Sequence, residues 1–288
     1  MESYTLNFLG IEKEFSEYES SSIIILPVPY EATVSYRSGT REGPRAILEA
    51  SKYVELFDPE TKKEIYKEVG IFTAPALPID TSGPQAMLQL IEKEYRKYLY
   101  DNKLIIMLGG EHTISYAPVK IFYESGEDFS VLSIDAHADL RDTYENSKFN
   151  HACVMRRVHE LVPLVEIGVR SFCKEEIEYI EKNKISVFTP QKIRESSDWI
   201  TEALNDVKDN VYISIDVDGF DPSVIPSTGT PEPDGLLYFQ VEELLKNIAR
   251  EKNIIGIDVV ELSPISSLHY SEFTIAKLIY RIINFIYS

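Results

Sequence analysis

The sequence predicts an α/β fold built on a mostly parallel, doubly wound sheet with helices on both faces. Short β-branched runs alternate with longer amphipathic stretches from end to end, and the runs are apolar on both of their alternating sides. No Pro/Gly/Ser-rich linker, charge block, low-complexity tract or repeat interrupts that alternation, so residues 1–288 are expected to form one domain. At 288 residues and 44% apolar composition the chain is long enough to bury a large core.

Taken in order, SIIILPVP (22–29), KLIIMLGG (103–110), FSVLSID (129–135), LVEIGVRS (164–171), ISVF (185–188), NVYISID (210–216) and NIIGIDVVEL (253–262) read as strands covered on both faces. Between them lie helical patterns. Gly43-Pro44 opens a helix through RAILEAS, because the missing N–H of proline is harmless in a first helical turn. MLQLIEKEYRKYLY (87–100), SYAPVKIFYES (115–125), EEIEYIEKN (175–183), DWITEALNDVK (198–208) and FQVEELLKNIAR (239–250) carry amphipathic helical spacing. Strand, helix, strand in succession makes a parallel sheet, and such sheets bind ligands beyond the carboxyl ends of their strands.

That address collects the polar residues. Gly109-Gly110-Glu111-His112, residues 135–139, Asp216 with Asp218, and residues 258–261 each follow an apolar run at its C-terminal end. Residues two apart in an extended chain project to one side, so Asp135, His137 and Asp139 can face one centre, as can Asp216 and Asp218. Alternating polar residues also mark the wet face of an ordinary strand. Here the preceding residues are apolar on both parities, which leaves no wet face to continue.

Four carboxylates brought together in a partly desolvated site must protonate, pair with cations or bind metal. Imidazole with carboxylate and no thiolate suits a borderline-hard divalent ion such as Mn²⁺; zinc is compatible, although the want of spare cysteines opposes a structural zinc site. The six candidates His112, Asp135, His137, Asp139, Asp216 and Asp218 exceed what one ion with open positions needs, and suit two ions sharing carboxylates. Four aspartates against two divalent ions leave the centre neutral, and a bridging hydroxide makes it negative, so it favours a cationic substrate. Glu261, at the end of GIDVVEL, adds a carboxylate that can meet a planar guanidinium in bidentate fashion.

The remaining composition excludes more than it assigns. Lys and Arg number 29 against 47 Asp and Glu, a formal charge of −18 that opposes nucleic acid and anionic membranes as partners. Cys153 and Cys173 form no C-x-x-C and are expected to be ordinary reduced thiols. The segment MESYTLNFLGIEKEFSEYES is too acidic, and its apolar stretches too short, for a signal peptide, and no window has the length of a membrane span. A cytoplasmic location is expected.

GGEHT, SIDAHADL, SIDVDGFDP and DVVELSP, in that order, with GTREGPRAI (39–47) before them, resemble the ureohydrolase family of arginases and agmatinases across nearly the whole chain. The resemblance implies a three-layer α/β/α fold, two Mn²⁺ per chain, and hydrolysis of a guanidino group to urea and an amine. Carried over by motif, His112, Asp135, Asp139 and Asp216 would hold one ion and Asp135, His137, Asp216 and Asp218 the other, with a bridging hydroxide as nucleophile. Asp139 would also pass a proton to the departing amine, Glu261 would grip the guanidinium, and His151 would act as proton shuttle or substrate contact. A histidine in a loop is otherwise a surface or core residue; NHACVMRRV places His151 where the family keeps one, with Ala152 where many members have Gly. The family also implies a homo-oligomer, trimeric or hexameric.

The neighbouring residues have plainer expectations. Glu111 stands where many relatives have Asp and is expected to orient His112. Asp258 either supports the site from behind or is a buried strand-end carboxylate. His159 and His269 read as structural, Arg41 as partner to a nearby carboxylate, and Gly109-Gly110, which is no dinucleotide fingerprint, as a turn passing close to the metals.

The loop LRDTYENSKFN (140–150) offers Asp142 and Glu145 where an arginase would hold an α-carboxylate with neutral polar side chains, so the chain looks more like the agmatinase branch. Asp142 or Glu145 either lies near the distal ammonium of agmatine or N1-aminopropylagmatine, or faces solvent. Other ureohydrolase substrates are guanidinobutyrate, formiminoglutamate and arginine. The related zinc deacetylase type uses fewer ligands, and an inactive metal-stabilised homologue predicts a broken ligand set, whereas all six candidates stand here.

Overall fold

The computed structural model describes residues 6–288; residues 1–5, the start of the segment weighed above as a signal peptide, lie outside the described residues. The strands are β1 (Ile23–Val28), β2 (Ile71–Thr73), β3 (Leu104–Gly109), β4 (Phe129–Ile134), β5 (Leu164–Ile167), β6 (Ser186–Phe188), β7 (Asn210–Asp216) and β8 (Asn253–Val260). They form one sheet in the order β2-β1-β3-β8-β7-β4-β5-β6, parallel throughout. The helices are α1 (Gly43–Ser51), α2 (Tyr66–Val69), α3 (Pro84–Leu99), α4 (Tyr116–Glu124), α5 (Val154–His159), α6 (Lys174–Asn183), α7 (Pro190–Glu195), α8 (Trp199–Asp206), α9 (Tyr238–Glu251) and α10 (Tyr270–Ile286).

Strands apolar on both parities feed two cores. Ile23, Ile25, Ile213 and Ile215 pack on one face with Leu244 and Ile248 of α9 and Ile275, Ile279 and Ile282 of α10. Ile24, Leu26, Val131 and Tyr212 pack on the other with Met87, Ile91 and Tyr95 of α3, Phe122 of α4 and Val158 of α5. Each fully buried side chain of this kind contributes about 1.5–3 kcal/mol, so both faces must be covered. The result is the expected three-layer arrangement. The three-residue β2 and the long α10 are additions to the elements read from the sequence.

β3 and β4 follow each other in the chain but stand apart in the sheet, with β8 and β7 inserted between them. The crevice lies over the carboxyl ends of these four central strands. Register sets the depth of each polar residue: Ile134 pairs with Ile215, Asp216 with Val260, and Leu108 with Val259. Asp135, Asp216 and Glu261 therefore leave the sheet within a residue of the same level.

Gly110 is required by a different neighbour from the one expected. A Cβ there would lie 1.9 Å from the carbonyl oxygen of Tyr30. The Gly110 N–H donates to Val28 O (3.0 Å) and its carbonyl accepts from Glu261 N–H (2.8 Å), so the backbone is pressed between the extensions of β1 and β8. The turn is narrow because of adjacent main chain. Cys153 is buried and Cys173 half-buried, both free thiols as expected. Among the described residues no helix is long and apolar enough to cross a membrane.

Candidate metal centre and active site

The strand ends deliver two groups of donors whose ligating atoms lie within 4.8 Å of one another: His112, Asp135 and Asp139, and Asp135, His137 and Asp218. Asp135 belongs to both. Nδ1 of His112 lies 3.1 Å from Asp135 Oδ2, 3.1 Å from Asp139 Oδ2 and 3.4 Å from Asp216 Oδ2. Nδ1 of His137 lies 3.0 Å from Asp218 Oδ2 and 3.7 Å from Asp135 Oδ1. Backbone N–H groups hold the other carboxylate oxygens: His137 N donates to Asp135 Oδ1 (2.6 Å), Ala136 N to Asp218 Oδ1 (3.0 Å) and Asp218 N to Asp216 Oδ1 (2.8 Å).

A second set of contacts fixes which nitrogen of His112 is bare. The single hydroxyl hydrogen of Ser214 goes to Asp258 Oδ1 at 2.7 Å, so the 2.9 Å contact between Ser214 Oγ and Nε2 must use the hydrogen of Nε2. Tyr212 donates to the other oxygen of Asp258 (2.7 Å). A neutral His112 therefore presents the Nδ1 lone pair to three carboxylate oxygens, one of which, Asp135 Oδ2, is buried and has no hydrogen-bond partner among the described residues. A cation between them is what the donor set fits.

The electrostatics agree. Burial, then Asp218 and Asp139, raise the Asp135 carboxyl to about 7, and burial followed by Asp218 and Asp135 puts Asp216 well above its usual range. Burial acts to lower both imidazoles, but the carboxylates outweigh it, carrying His137 to about 11 and His112 well above its ordinary value. Asp218 moves the other way, since His137 and backbone donors overcome its burial.

A cavity of about 200 Å³ opens beside this cluster, with Asp139, His151 and Glu261 in its wall together with His137, Asp216 and Asp218. Glu261 Oε1 accepts from His112 N–H (2.7 Å), and burial, reinforced by Glu111, holds its carboxyl well above the usual range. Asp139 and Glu261 both sit in the left-handed region, φ 50° and 64°, a strained backbone that the surrounding strands hold in place and that concentrates at functional sites. His151 is fixed by Thr33 and Ser35: Oγ1 of Thr33 lies 3.1 Å from Nδ1 and Oγ of Ser35 2.7 Å from Nε2.

Several expectations change. Glu111 does not reach the His112 ring; its carboxylate accepts from Ala32 N, Thr33 N and the hydroxyls of Thr33 and Thr113. Asp258 is the residue behind His112. Asp142 and Glu145 are absent from the cavity wall: Asp142 is bonded to Arg157 (2.7 Å), and Glu145 is exposed. The Arg41 guanidinium donates to the carbonyl of Glu31 (3.3 Å), and it is the Arg41 backbone N–H that meets the Glu31 carboxylate (3.0 Å). His159, bonded to Tyr179, and His269, bonded to Glu272, stand outside the cavity as expected.

Sequence reasoning missed the outer wall, formed by Arg141, Tyr144, Phe172, Cys173 and Glu176, and the residues behind it. Arg170 donates to the carbonyls of Asp218, Gly219, Phe220, Glu232 and Pro233, bracing the loop that carries Asp218. Glu166, an acid inside the run LVEIGV, is fully buried with neither oxygen partnered among the described residues, and burial followed by Asp135 and Asp139 keeps its carboxyl well above the usual range. Only the last had a sequence signal, a lone acid in an apolar strand.

Known proteins share this architecture. A match to the Arginase family covers residues 21–284. The chain is 37% identical to the N(1)-aminopropylagmatine ureohydrolase of Synechocystis sp., over 94% of this chain and 90% of that protein. It is 35% identical to the agmatinase of Pyrococcus horikoshii, over 98% of both. The crystal structure of the agmatine ureohydrolase of Thermoplasma volcanium matches with a TM-score of 0.84 at 29% identity, covering 94% of this chain and 92% of the other. With the family match spanning the strands that build the centre, the chain belongs to the arginase family of ureohydrolases.

Proposed function

We propose that this chain hydrolyses the guanidino group of agmatine or N1-aminopropylagmatine to urea and the free polyamine, with two manganese ions as cofactor. His112, Asp135, Asp139 and Asp216 would hold one ion, and Asp135, His137, Asp216 and Asp218 the other. The observation that carries this reading is one imidazole nitrogen, His112 Nδ1, within 3.4 Å of three carboxylate oxygens, beside a second donor group that shares Asp135. Bound there, the ions would bring the pKa of a water near neutrality and so provide the nucleophile.

The chain's own groups would do the rest. One oxygen of Glu261 is occupied by His112 N–H, leaving the other to accept from the guanidinium and compensate its positive charge. Asp139, in the cavity wall, would deliver a proton to the departing nitrogen. His151 lines the same cavity and would carry protons between that site and solvent. The choice of a polyamine rests on the names of the relatives and on the excess of carboxylates over cationic groups in the wall.

One observation favours a second reading. Arg141 lines the cavity with its guanidinium over the Tyr144 ring (5.0 Å) and, among the described residues, forms no ion pair, which would suit a carboxylate-bearing substrate such as guanidinobutyrate or arginine. Urea release by metal-stripped protein reloaded with Mn²⁺, assayed on agmatine, N1-aminopropylagmatine, arginine and guanidinobutyrate in parallel, separates the two. Urea from the first two alone is the expected result. Turnover of a carboxylate substrate, with its KM raised about tenfold by Arg141→Met, would transfer the assignment to the second reading.

A further inference from the structure

We propose that Glu111 and Thr33 form a relay that fixes the tautomer and aim of His151, leaving Nε2 as the nitrogen that exchanges protons in the cavity. The proposal rests on the reading of His151 as proton carrier given above.

The supply of hydrogens fixes the tautomer. Glu111 is fully buried, and its four contacts are all donors: Ala32 N–H (2.5 Å) and Thr33 N–H (2.6 Å) to Oε2, and the hydroxyls of Thr33 (2.8 Å) and Thr113 (2.8 Å) to Oε1. Thr33 has one hydroxyl hydrogen, and Glu111 takes it. What Thr33 Oγ1 has left is lone pairs, and two groups of His151 meet them: the backbone N–H at 3.1 Å and Nδ1 at 3.1 Å. Nδ1 must therefore carry the ring hydrogen. One hydroxyl thus holds both the main chain and the ring of the same residue.

Nε2 is then bare, and Ser35 Oγ lies 2.7 Å from it as hydrogen donor. Ser35, His151, Asp139 and Glu261 share the cavity wall. In the proton step the Ser35 hydroxyl turns its hydrogen away, a water at the cavity mouth delivers a proton to the Nε2 lone pair, and the ring becomes an imidazolium with Nδ1–H still directed at Thr33. The same hydrogen later leaves from Nε2, so the ring returns to its starting state. Positive charge on the ring is met through the hydroxyl by the buried carboxylate of Glu111. The arrangement repeats the one behind His112, where Asp258 and Ser214 hold Nε2–H and leave Nδ1 bare. Carboxylate, hydroxyl and imidazole occur twice, with opposite nitrogens released.

The test removes only the hydroxyl. Thr33→Val in the Mn²⁺-loaded protein is expected to lower kcat on agmatine about 10–100-fold with KM within about twofold, whereas Thr33→Ser stays within about threefold of the parent. Retention of both ions by Thr33→Val shows that the fold and centre survive. In a His151→Ala background Thr33→Val is expected to cost nothing further. Independently of turnover, ¹⁵N spectra of the neutral ring are expected to show Nδ1 protonated in the parent and a mixture of tautomers in Thr33→Val. Full activity of Thr33→Val, an undiminished cost in the His151→Ala background, or an Nε2–H ring in the parent overturns the relay. If His151→Ala alone leaves kcat unchanged, the proton-carrier reading fails, and the spectrum still decides the tautomer.

Discussion

A single hydroxyl hydrogen decides which face of His112 the centre receives. Because Ser214 donates to Asp258, it can only accept from Nε2–H, and losing that acceptor would free the ring to turn or to place its hydrogen on Nδ1. Ser214→Ala is therefore expected to weaken Mn²⁺ binding about 10–100-fold, read by calorimetric titration of metal-stripped protein. An unchanged Kd would mean that packing alone aims the ring. Of these residues the sequence displayed the six donors, since carboxylate and imidazole at the end of an apolar strand conflict with burial unless something offsets them. Ser214 and Thr33 gave no such signal, because a hydroxyl is unremarkable in any strand or loop and their partners stand 44 to 118 residues away. Glu111 was visible, and its partner was misjudged for the same reason: adjacency to His112 in sequence directed the reading away from Thr33.

At the scale of elements, the clearest liability lies on the long helix α10, which contributes no residue to the cavity wall. Arg281 emerges from this largely apolar helix and is met by Asp58, by Glu60 (2.6 Å) and by Glu242 of α9 (2.8 Å), tying α9, α10 and the 58–60 turn together. Arg281→Met would leave the buried Asp58 without its cation, and is expected to cost about 3 kcal/mol in urea-induced unfolding. Burial acts to raise the Asp58 carboxyl, but Thr61 N–H and the Arg281 guanidinium outweigh it and hold it below its ordinary value. The folded pKa is the lower one, so the contribution is fully present above the unfolded value near 4 and is lost as pH falls through the folded value. Asp58→Asn should therefore differ from the parent at pH 7 and converge on it as the pH drops below about 4; a constant difference would place the effect in packing instead. The strands were legible because both parities are apolar, whereas β2 spans three residues and shows no period. The insertion of β7 and β8 between β3 and β4 was not legible, since alternation fixes that strands are parallel and leaves their order open.

For the whole molecule, folding and the proposed metal binding form one equilibrium. The fold gathers Asp135, Asp139, Asp216 and Asp218 from the ends of β4 and β7, in a chain that already carries a net charge of −18. Without an ion, the folded state can tolerate the cluster only by retaining protons. Asp135 is carried from 3.8 to about 7, and both imidazoles are raised as well. All of these shifts have one sign: between about pH 4 and pH 11 the folded chain holds more protons than the unfolded chain, so stability falls as pH rises. Asp218 has the opposite sign, but its window lies below its ordinary value of 3.8. Ionising the buried Asp135 therefore costs stability at neutral pH, and a divalent ion that replaces the protons removes that cost. Mn²⁺ is accordingly expected to raise Tm by about 10 °C at pH 8 and by distinctly less at pH 5, measured by calorimetry with and without chelator. Proton competition for the ligands acts in the same direction, so the gap must widen as pH rises. A gap of equal size at both pH values would show that the ion does not replace protons on these carboxylates, and would remove them from the ligand set.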